Sequence, residues 1–279
     1  MYMVKNMVIS FKIPCIYKPL PPISEMWKFC EKFGVQRKAE SQVSNYNHKN
    51  VYRHELKYIM PQTSKEDLIQ RFKSILSIDP NCPESREGYL VRSLYFDDYY
   101  QSAYVDKLMG LDHRKKYRIR VYNGCMDTIK LECKHKVRDG IYKESAFLEK
   151  EQYHAILAGD IGTLAGELES LLQRFCLEMR CNRLAPRVIV DYDRIPLICP
   201  YGDVRITLDM HIRAGIQGYD ISAAAIPAME VLPGEMVLEV KYTHYLPSLI
   251  REVLAGIADC SSAVSKYVLC ARVVGGLRL

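Results

Sequence analysis

Three short triplets carry the residues most able to do chemistry: Glu55-Leu56-Lys57, Glu132-Cys133-Lys134 and Glu239-Val240-Lys241. Each sets a carboxylate two residues from an ammonium, with an apolar residue between. Arg118 and Arg120 flank Ile119 in the same way, and Arg205, Thr207 and Asp209 alternate with Val204, Ile206 and Leu208. Guanidinium forks and ammonium groups recognise phosphate oxygens. Carboxylates supply the oxygen ligands that hard cations such as Mg²⁺ or Mn²⁺ prefer. Together they suit a metal-bound triphosphate or a longer phosphate chain. One such pair alone is most often a surface ion pair of little worth. Three copies in phase with apolar neighbours point instead to a shared interior site.

Period-two alternation belongs to strands, whose side chains point to opposite faces. Each segment therefore has one apolar and one charged face. Either the charged faces are wet outer surfaces, or they line the inside of a barrel. Along the chain, residues 52–60 read as a strand stopped by Pro61. Thr63 with Glu66 is a capping-box signature, opening a helix with Leu68, Phe72, Ile75 and Leu76 on one face. Tyr89–Phe96 reads as a strand and Ser102–Met109 as a short helix. Tyr117–Tyr122, Thr128–His135 and Ile141–Leu148 are separated by Asn123-Gly124 and Asp139-Gly140, which predicts a three-stranded meander. Residues 149–180 read as helical with a break at Gly159–Gly162. Arg187–Leu197 and Val204–Ile212 form a hairpin around Tyr201-Gly202-Asp203, residues 214–234 show no pattern, and Glu235–Tyr242 is the last strand. Two helices follow, one after Pro247, a favourable first-turn residue, and one after Ser262. The fold class expected is α+β: an eight-stranded antiparallel β-barrel with a charged interior and helices packed outside. Closure would remove exposed strand edges.

The totals fit one such domain. The chain has 279 residues, 48% hydrophobic and 26% charged, with a formal net charge of +6. Its basic residues are spread singly along strands rather than gathered in blocks, which argues against nucleic acid as a partner. Ten cysteines include no Cys-x-x-Cys pair, so a zinc site is not expected and free thiols in a reducing compartment are. No apolar stretch reaches the length of a membrane span, and the N-terminus lacks the pattern of a signal peptide. The expectation is a soluble, cytoplasmic protein. Residues 1–50, with a Pro cluster and a polar stretch, read as a poorly ordered extension, and residues 51–279 as the folded domain.

The inward candidates are Lys57, Arg118, Arg120, Lys130, Lys134, Lys143, Arg194, Arg205 and Lys241, beside Glu55, Glu132, Asp209 and Glu239. The cations outnumber the acids, so a polyanion would relieve their repulsion. Lys266 lies in the first turn of the last helix. A cation is locally unfavourable there, yet a lysine at a helix N-terminus receives phosphate well. An exposed lysine of no consequence fits equally.

As an ordered set, these motifs resemble the VTC domain. They are Arg53-His54-Glu55-Leu56-Lys57-Tyr58, Ser93-Leu94-Tyr95-Phe96-Asp97, Lys116-Tyr117-Arg118-Ile119-Arg120-Val121-Tyr122, Leu131-Glu132-Cys133-Lys134, Val204-Arg205-Ile206-Thr207-Leu208-Asp209, Leu238-Glu239-Val240-Lys241 and Ser265-Lys266-Tyr267. That family is the polyphosphate polymerase branch of the triphosphate tunnel metalloenzymes, related to the CYTH proteins, and the similarity runs from about residue 51 to 272. The resemblance implies an eight-stranded tunnel. It implies phosphate contacts at Arg118, Arg120, Lys134, Lys143, Arg205 and Lys266, with Arg194, Lys57 and Lys241 added, and a metal at Glu239. We assign catalysis to Arg118, Arg120, Lys134 and Lys266, and phosphate binding to Lys57, Lys143, Arg194, Arg205 and Lys241. Metal binding is assigned to Glu239, Glu55 and Glu132, with Mn²⁺ or Mg²⁺ as the ion. The partners implied are ATP and inorganic polyphosphate.

Hydrolytic relatives typically begin with Glu-x-Glu-x-Lys, whereas this chain has Arg53 at the first position. An acid that could orient water is lost and a cation gained, which favours phosphoryl transfer to phosphate over transfer to water. Three alternatives stay open: a metal-dependent triphosphatase, a polyphosphate- or nucleotide-binding module without catalysis, and a structural barrel with an ion-paired interior.

Overall fold

Alternating charge and apolarity does build strands, and they are longer than the motifs that revealed them. The computed structural model describes residues 52–277 except 81, 83–87, 139, 163, 165–169, 200 and 202. The expectation for residues 1–50 lies outside the described residues. Those described form β1 (His54–Pro61), α1 (Lys65–Phe72), β2 (Ser77–Ile78), β3 (Tyr89–Asp97), α2 (Ser102–Leu108), β4 (His113–Tyr122), β5 (Cys125–Val137) and β6 (Gly140–Leu148). There follow α3 (Lys150–Ala158), α4 (Ser170–Cys181), β7 (Ala185–Cys199), β8 (Val204–Gly215), β9 (Ala228–Glu230), β10 (Glu235–Tyr242), α5 (Ser248–Ala255) and α6 (Lys266–Leu277).

All strands join one antiparallel sheet with the order β1-β10-β8-β7-β3-β4-β5-β6. The short β2 adds to β7 and β9 to β8. The α+β class therefore forms as expected, with ten paired strands where eight were read. The two end strands meet at one bridge, between Arg53, just before β1, and Ile141 in β6, through N–H···O bonds of 2.9 and 3.1 Å. No longer ladder joins β1 to β6 among the described residues.

The meander turns where Asn123-Gly124 predicted it. Both residues have positive φ, 53° and 68°, as a two-residue hairpin of matching twist requires. At the next turn Arg138 takes a positive φ, 51°. The Thr63–Glu66 capping box does not form. Gln62–Ser64 makes a 3₁₀ turn first, so Thr63 lies inside a turn and α1 begins at Lys65 without a side-chain cap.

The apolar strand faces are covered from outside. Tyr153, Ile156, Leu171, Leu172 and Phe175 of α3 and α4 pack on Ile119, Leu131 and Cys133. Leu68, Phe72, Ile250 and Leu254 of α1 and α5 pack on Ile206, Leu208, Leu238 and Val240. Helix α6 departs from the expected outer position. Its Val268, Ala271 and Val274 join a core with Val190, Tyr192, Val237, Ile212 and Ala214. Val237 shares its face of β10 with Glu239, and Tyr192 shares its face of β7 with Arg194, so α6 packs on the charged side of the sheet. A β-bulge makes this possible. The β7–β8 register shifts between Asp191 and Asp193, and His211 takes φ 48°. The extra residue re-aims Ile212 and Ala214 onto the face that carries Asp209.

Candidate functional site

Strand register fixes which charges meet. Across β1 and β10, Lys57 faces Glu239 and Glu55 faces Lys241, so the two glutamates lie on a diagonal. On β8, Thr207 faces Glu239. Arg194 of β7 faces Asp209 of β8. Arg118 of β4 faces Glu132 of β5, while Lys116 faces Lys134, which in turn faces Lys143 of β6.

Three ion-pair networks result. Glu132 is 1% exposed and takes Arg118 Nε at 2.7 Å, the Lys143 ammonium, and Arg120 at 3.9 Å. Asp209, with no exposed surface, holds Arg194 through two bonds of 2.7 and 2.8 Å and Lys266 at 2.6 Å. Glu55 binds Lys134 at 2.8 Å and Lys57 at 3.2 Å, and Glu239 binds Lys241 at 3.0 Å. Aromatic residues complete the walls. Arg120 donates to Ser93 Oγ and Tyr192 Oη at 2.9 and 3.0 Å, and Arg118 donates to Tyr95 Oη at 2.9 Å. Arg194 and Lys266 both lie 5.1 Å from the Tyr192 ring.

The electrostatics follow from burial set against neighbours. Burial opposes the charge on Glu132, but Arg118, Arg120 and Lys143 prevail and hold its carboxyl well below the usual range. Burial likewise opposes ionised Asp209, yet Arg194 and Lys266 bring it down to about 2. Glu239 is lowered against its burial, chiefly by Lys241. The Tyr95 phenol is lowered despite burial by Arg118 and Arg120. In four lysines burial prevails instead: it lowers Lys107 and Lys134, and lowers Lys241 and Lys116 further. Burial takes Lys241 down to about 8 in spite of Glu239 and Glu55. Burial, joined by repulsion from Lys57, Lys134, Arg114 and Lys107, takes Lys116 down to about 7.

These groups line one cavity of about 300 Å³, whose walls carry eleven Lys or Arg side chains and two carboxylates, Glu55 and Glu239. So large an excess of fixed positive charge selects an anionic occupant of several charges. A roomier hollow, about 560 Å³, lies on the opposite face of β1. Leu56, Tyr58, Tyr242 and Leu254 line it with Arg251 as its one cation, so it lacks groups for acid–base or metal chemistry.

Of the residues singled out in the sequence, Glu55, Lys57, Arg118, Arg120, Lys134, Arg194, Glu239, Lys241 and Lys266 reach the cavity wall. Glu132 does not; it lies beneath Arg118. Lys143 and Arg205 stand off the wall, 46% and 39% exposed, the latter bound to Asp79 at 2.8 Å and Tyr89 Oη at 3.1 Å. Lys130 rests against the Tyr122 and Phe147 rings. Arg53 pairs with Asp203 on the surface at 3.1 Å and adds no charge to the cavity. The replaced acid still stands as a loss, but the gained cation does not act there. Reading the sequence missed Lys107, Arg114, Lys116 and Lys136 on the wall. The last three share the period of Arg118 and Lys134, and the strand readings stopped short of them. Lys107 comes from α2, where no alternation marks it.

The donor set suits a hard divalent ion. Glu55 and Glu239 share Lys241, at 3.9 and 3.0 Å, and buried Thr207 Oγ1, across from Glu239, has no hydrogen-bond partner. Among the described residues no three acidic, His or Cys side chains converge as a ready cage. Such an ion would draw the rest of its shell from water and phosphate, as Mg²⁺ commonly does.

Comparison with known proteins matches this picture. The VTC domain family model matches residues 52–274. No curated protein is significantly similar in sequence. Among solved structures, a putative adenylate cyclase from Bacillus halodurans shares 13% identity over 76% of this chain and 95% of its own, with a TM-score of 0.45. A putative adenylyl cyclase from Hippeastrum, described as having a dominant triphosphatase activity, shares 14% over 78% and 94%, with a TM-score of 0.47. One from Vibrio parahaemolyticus shares 11% over 79% and 98%, with a TM-score of 0.42. Likenesses this distant decide nothing about chemistry. The family match, spanning most of the chain and every strand that lines the cavity, decides the family: this chain belongs to the VTC domain family.

Proposed function

We propose that the protein is a polyphosphate polymerase, which transfers the γ-phosphate of ATP to the end of a growing inorganic polyphosphate chain inside a tunnel lined by the charged sheet face. The observation that carries this reading is the cavity with eleven cations and two carboxylates. Arg118, Arg120 and Arg194 are each fixed by short hydrogen bonds, so their forks are set before substrate arrives. Such preorganised donors stabilise charge on a transferring phosphoryl group without reorganising. A terminal phosphate oxygen attacks the γ-phosphorus. The new P–O bond forms as the bond to the β–γ bridging oxygen breaks, and the electron pair leaves with ADP. Lys266 and Lys134 neutralise charge on the flanking oxygens. Glu239 and Glu55 would hold Mn²⁺ or Mg²⁺, whose charge would offset part of that on the phosphates.

Transfer to water would need a carboxylate free to orient it. Among the described residues the cavity wall carries the two carboxylates Glu55 and Glu239, and both would serve the metal, leaving none over to orient water. An attacking phosphate oxygen is anionic and needs no general base, so this allotment favours transfer to phosphate. The proposed setting is the cytoplasm, where exposed thiols such as Cys125 and Cys181 stay reduced. Among the described residues no helix is long and apolar enough to cross a membrane.

The test is to incubate full-length protein with ATP and Mn²⁺ and to resolve the products by chain length. ADP with a ladder of phosphate chains is expected, and Glu239→Gln should abolish it. Orthophosphate without chains would make the protein a triphosphatase, and tight binding without turnover a binding module.

A further inference from the structure

The cavity cations divide into two groups by their partners. Seven have a carboxylate within 4 Å: Lys57, Arg118, Arg120, Lys134, Arg194, Lys241 and Lys266. Lys107, Arg114, Lys116 and Lys136 have none among the described residues, and they come together from α2, β4 and β5. Arg114 lies directly across from Lys136, and Lys116 directly across from Lys134. Like charges opposite one another in a sheet destabilise it; on the second rung Glu55 compensates Lys134 alone, and on the first neither Arg114 nor Lys136 has a carboxylate within 4 Å among the described residues. Lys116 is half-buried, and among the described residues its ammonium meets Ser265 Oγ at 3.2 Å and the Tyr267 ring at 5.1 Å. Burial and like charge both push its proton off. The quartet lies towards the end of the cavity where β4 begins and β5 ends. From Arg114 to Arg120 along β4 is ~20 Å, so the unpaired group lies beyond the arginines that clamp a triphosphate.

We propose that Lys107, Arg114, Lys116 and Lys136 form a second subsite, which holds a linear polyphosphate chain where it passes the β4–β5 end of the cavity. Ion-paired cations are held for the reacting phosphates, whereas these four, with no carboxylate in direct contact among the described residues, gain close counter-charges from a polyanion. A chain long enough to reach both groups gains the second set of contacts, and a short one does not. This inference rests on the cavity being a phosphate site.

The test compares inorganic tripolyphosphate with a longer linear polyphosphate of defined length, titrated into wild-type protein and the Lys107→Gln/Lys136→Gln double variant. Wild type should bind the long chain at least tenfold more tightly. The double variant should lose more than tenfold for the long chain and less than threefold for tripolyphosphate. Its salt dependence for the long chain should flatten by about 1.4, from a loss of ~0.7 per cation. Equal losses for both ligands, or no wild-type preference for the long chain, would overturn the second subsite while leaving the triphosphate site intact. Failure of wild type to bind tripolyphosphate at all would remove the underlying site and this proposal with it.

Discussion

Replacing Lys116 with methionine should stabilise the protein, and by an amount that depends on pH. The folded state takes Lys116 from its ordinary 10.5 down to about 7, through burial first and then through Lys57, Lys134, Arg114 and Lys107. At about 1.4 kcal/mol per tenfold change in proton affinity, that fall corresponds to at most ~5 kcal/mol. Lys116 is only half-buried and water reaches the cavity, so we take about half, ~2 kcal/mol. The sign follows from proton counts. Below about pH 7 the folded protein must carry a charge that its surroundings resist, and the penalty is complete. Between 7 and 10.5 the folded state has shed the proton while the unfolded chain keeps it, so stability rises with pH. Above that, both states are neutral and the term vanishes. Chemical denaturation of wild type and Lys116→Met over this range should show the variant ahead by ~2 kcal/mol near pH 6, with the gap closing towards pH 10. Methionine also loses the Ser265 contact and gains apolar packing, but those changes do not vary with pH. A gap that is constant with pH, or a variant less stable than wild type at pH 6, would refute the claim that Lys116 is an uncompensated buried cation.

Two further substitutions separate the site from the scaffold. Arg118→Ala and Arg120→Ala should each lower turnover by about 10²-fold or more. Their stability costs should differ: about 2–4 kcal/mol for Arg118, which leaves buried Glu132 with Lys143 and the more distant Arg120, and about 1–2 kcal/mol for Arg120, whose hydrogen-bond partners Ser93 and Tyr192 are neutral. Urea titration beside product analysis reads both, and equal stability losses would count against the network described. Arg92→Ala should destabilise by about 3–5 kcal/mol. It strands buried Asp191, now held at 3.0 Å, and frees the Ile221 and Ala223 carbonyls. Tripolyphosphate affinity should hold, because this pair lies on the other face of the sheet; a parallel loss of binding would refute that placement.

Most of the sheet was legible because its signal is local. Alternation located β1, β8 and β10 to within a few residues, and Asn123-Gly124 located the first meander turn. What escaped was set by contacts distant in sequence. Consecutive Lys115 and Lys116 blur the alternation at the start of β4, so Arg114 and Lys116 were passed over, and Lys136 was lost with the end of β5. The inward position of α6 depends on a bulge at His211, which no turn residue announces. Arg53 shares a motif with Glu55 and Lys57, but it lies outside the strand and its side chain turns to Asp203. Period alone also cannot distinguish Arg92–Asp191 from Arg194–Asp209. Both are buried arginine–aspartate pairs on neighbouring strands, one tying down the loop at Ile221 and Ala223 and the other facing the cavity.

The carboxylates themselves fall into two kinds, and their partners distinguish them. Glu132 and Asp209 are bound by arginine, have almost no exposed surface, and spend both oxygens on cations. Removing such an acid leaves a buried guanidinium uncompensated, so its first effect is on where Arg118 or Arg194 points. Glu55 and Glu239 are bound mainly by lysines, which act as point charges on flexible stems and exchange partners without breaking a planar fork. A lysine that leaves Glu55 or Glu239 for a phosphate oxygen frees a carboxylate oxygen for an ion in the same movement. In the proposed function Glu55 and Glu239 therefore hold the metal and Glu132 positions Arg118, which narrows the set of three glutamates first drawn from the sequence. The assignment requires tripolyphosphate and the divalent ion to bind cooperatively, since each removes a competitor of the other.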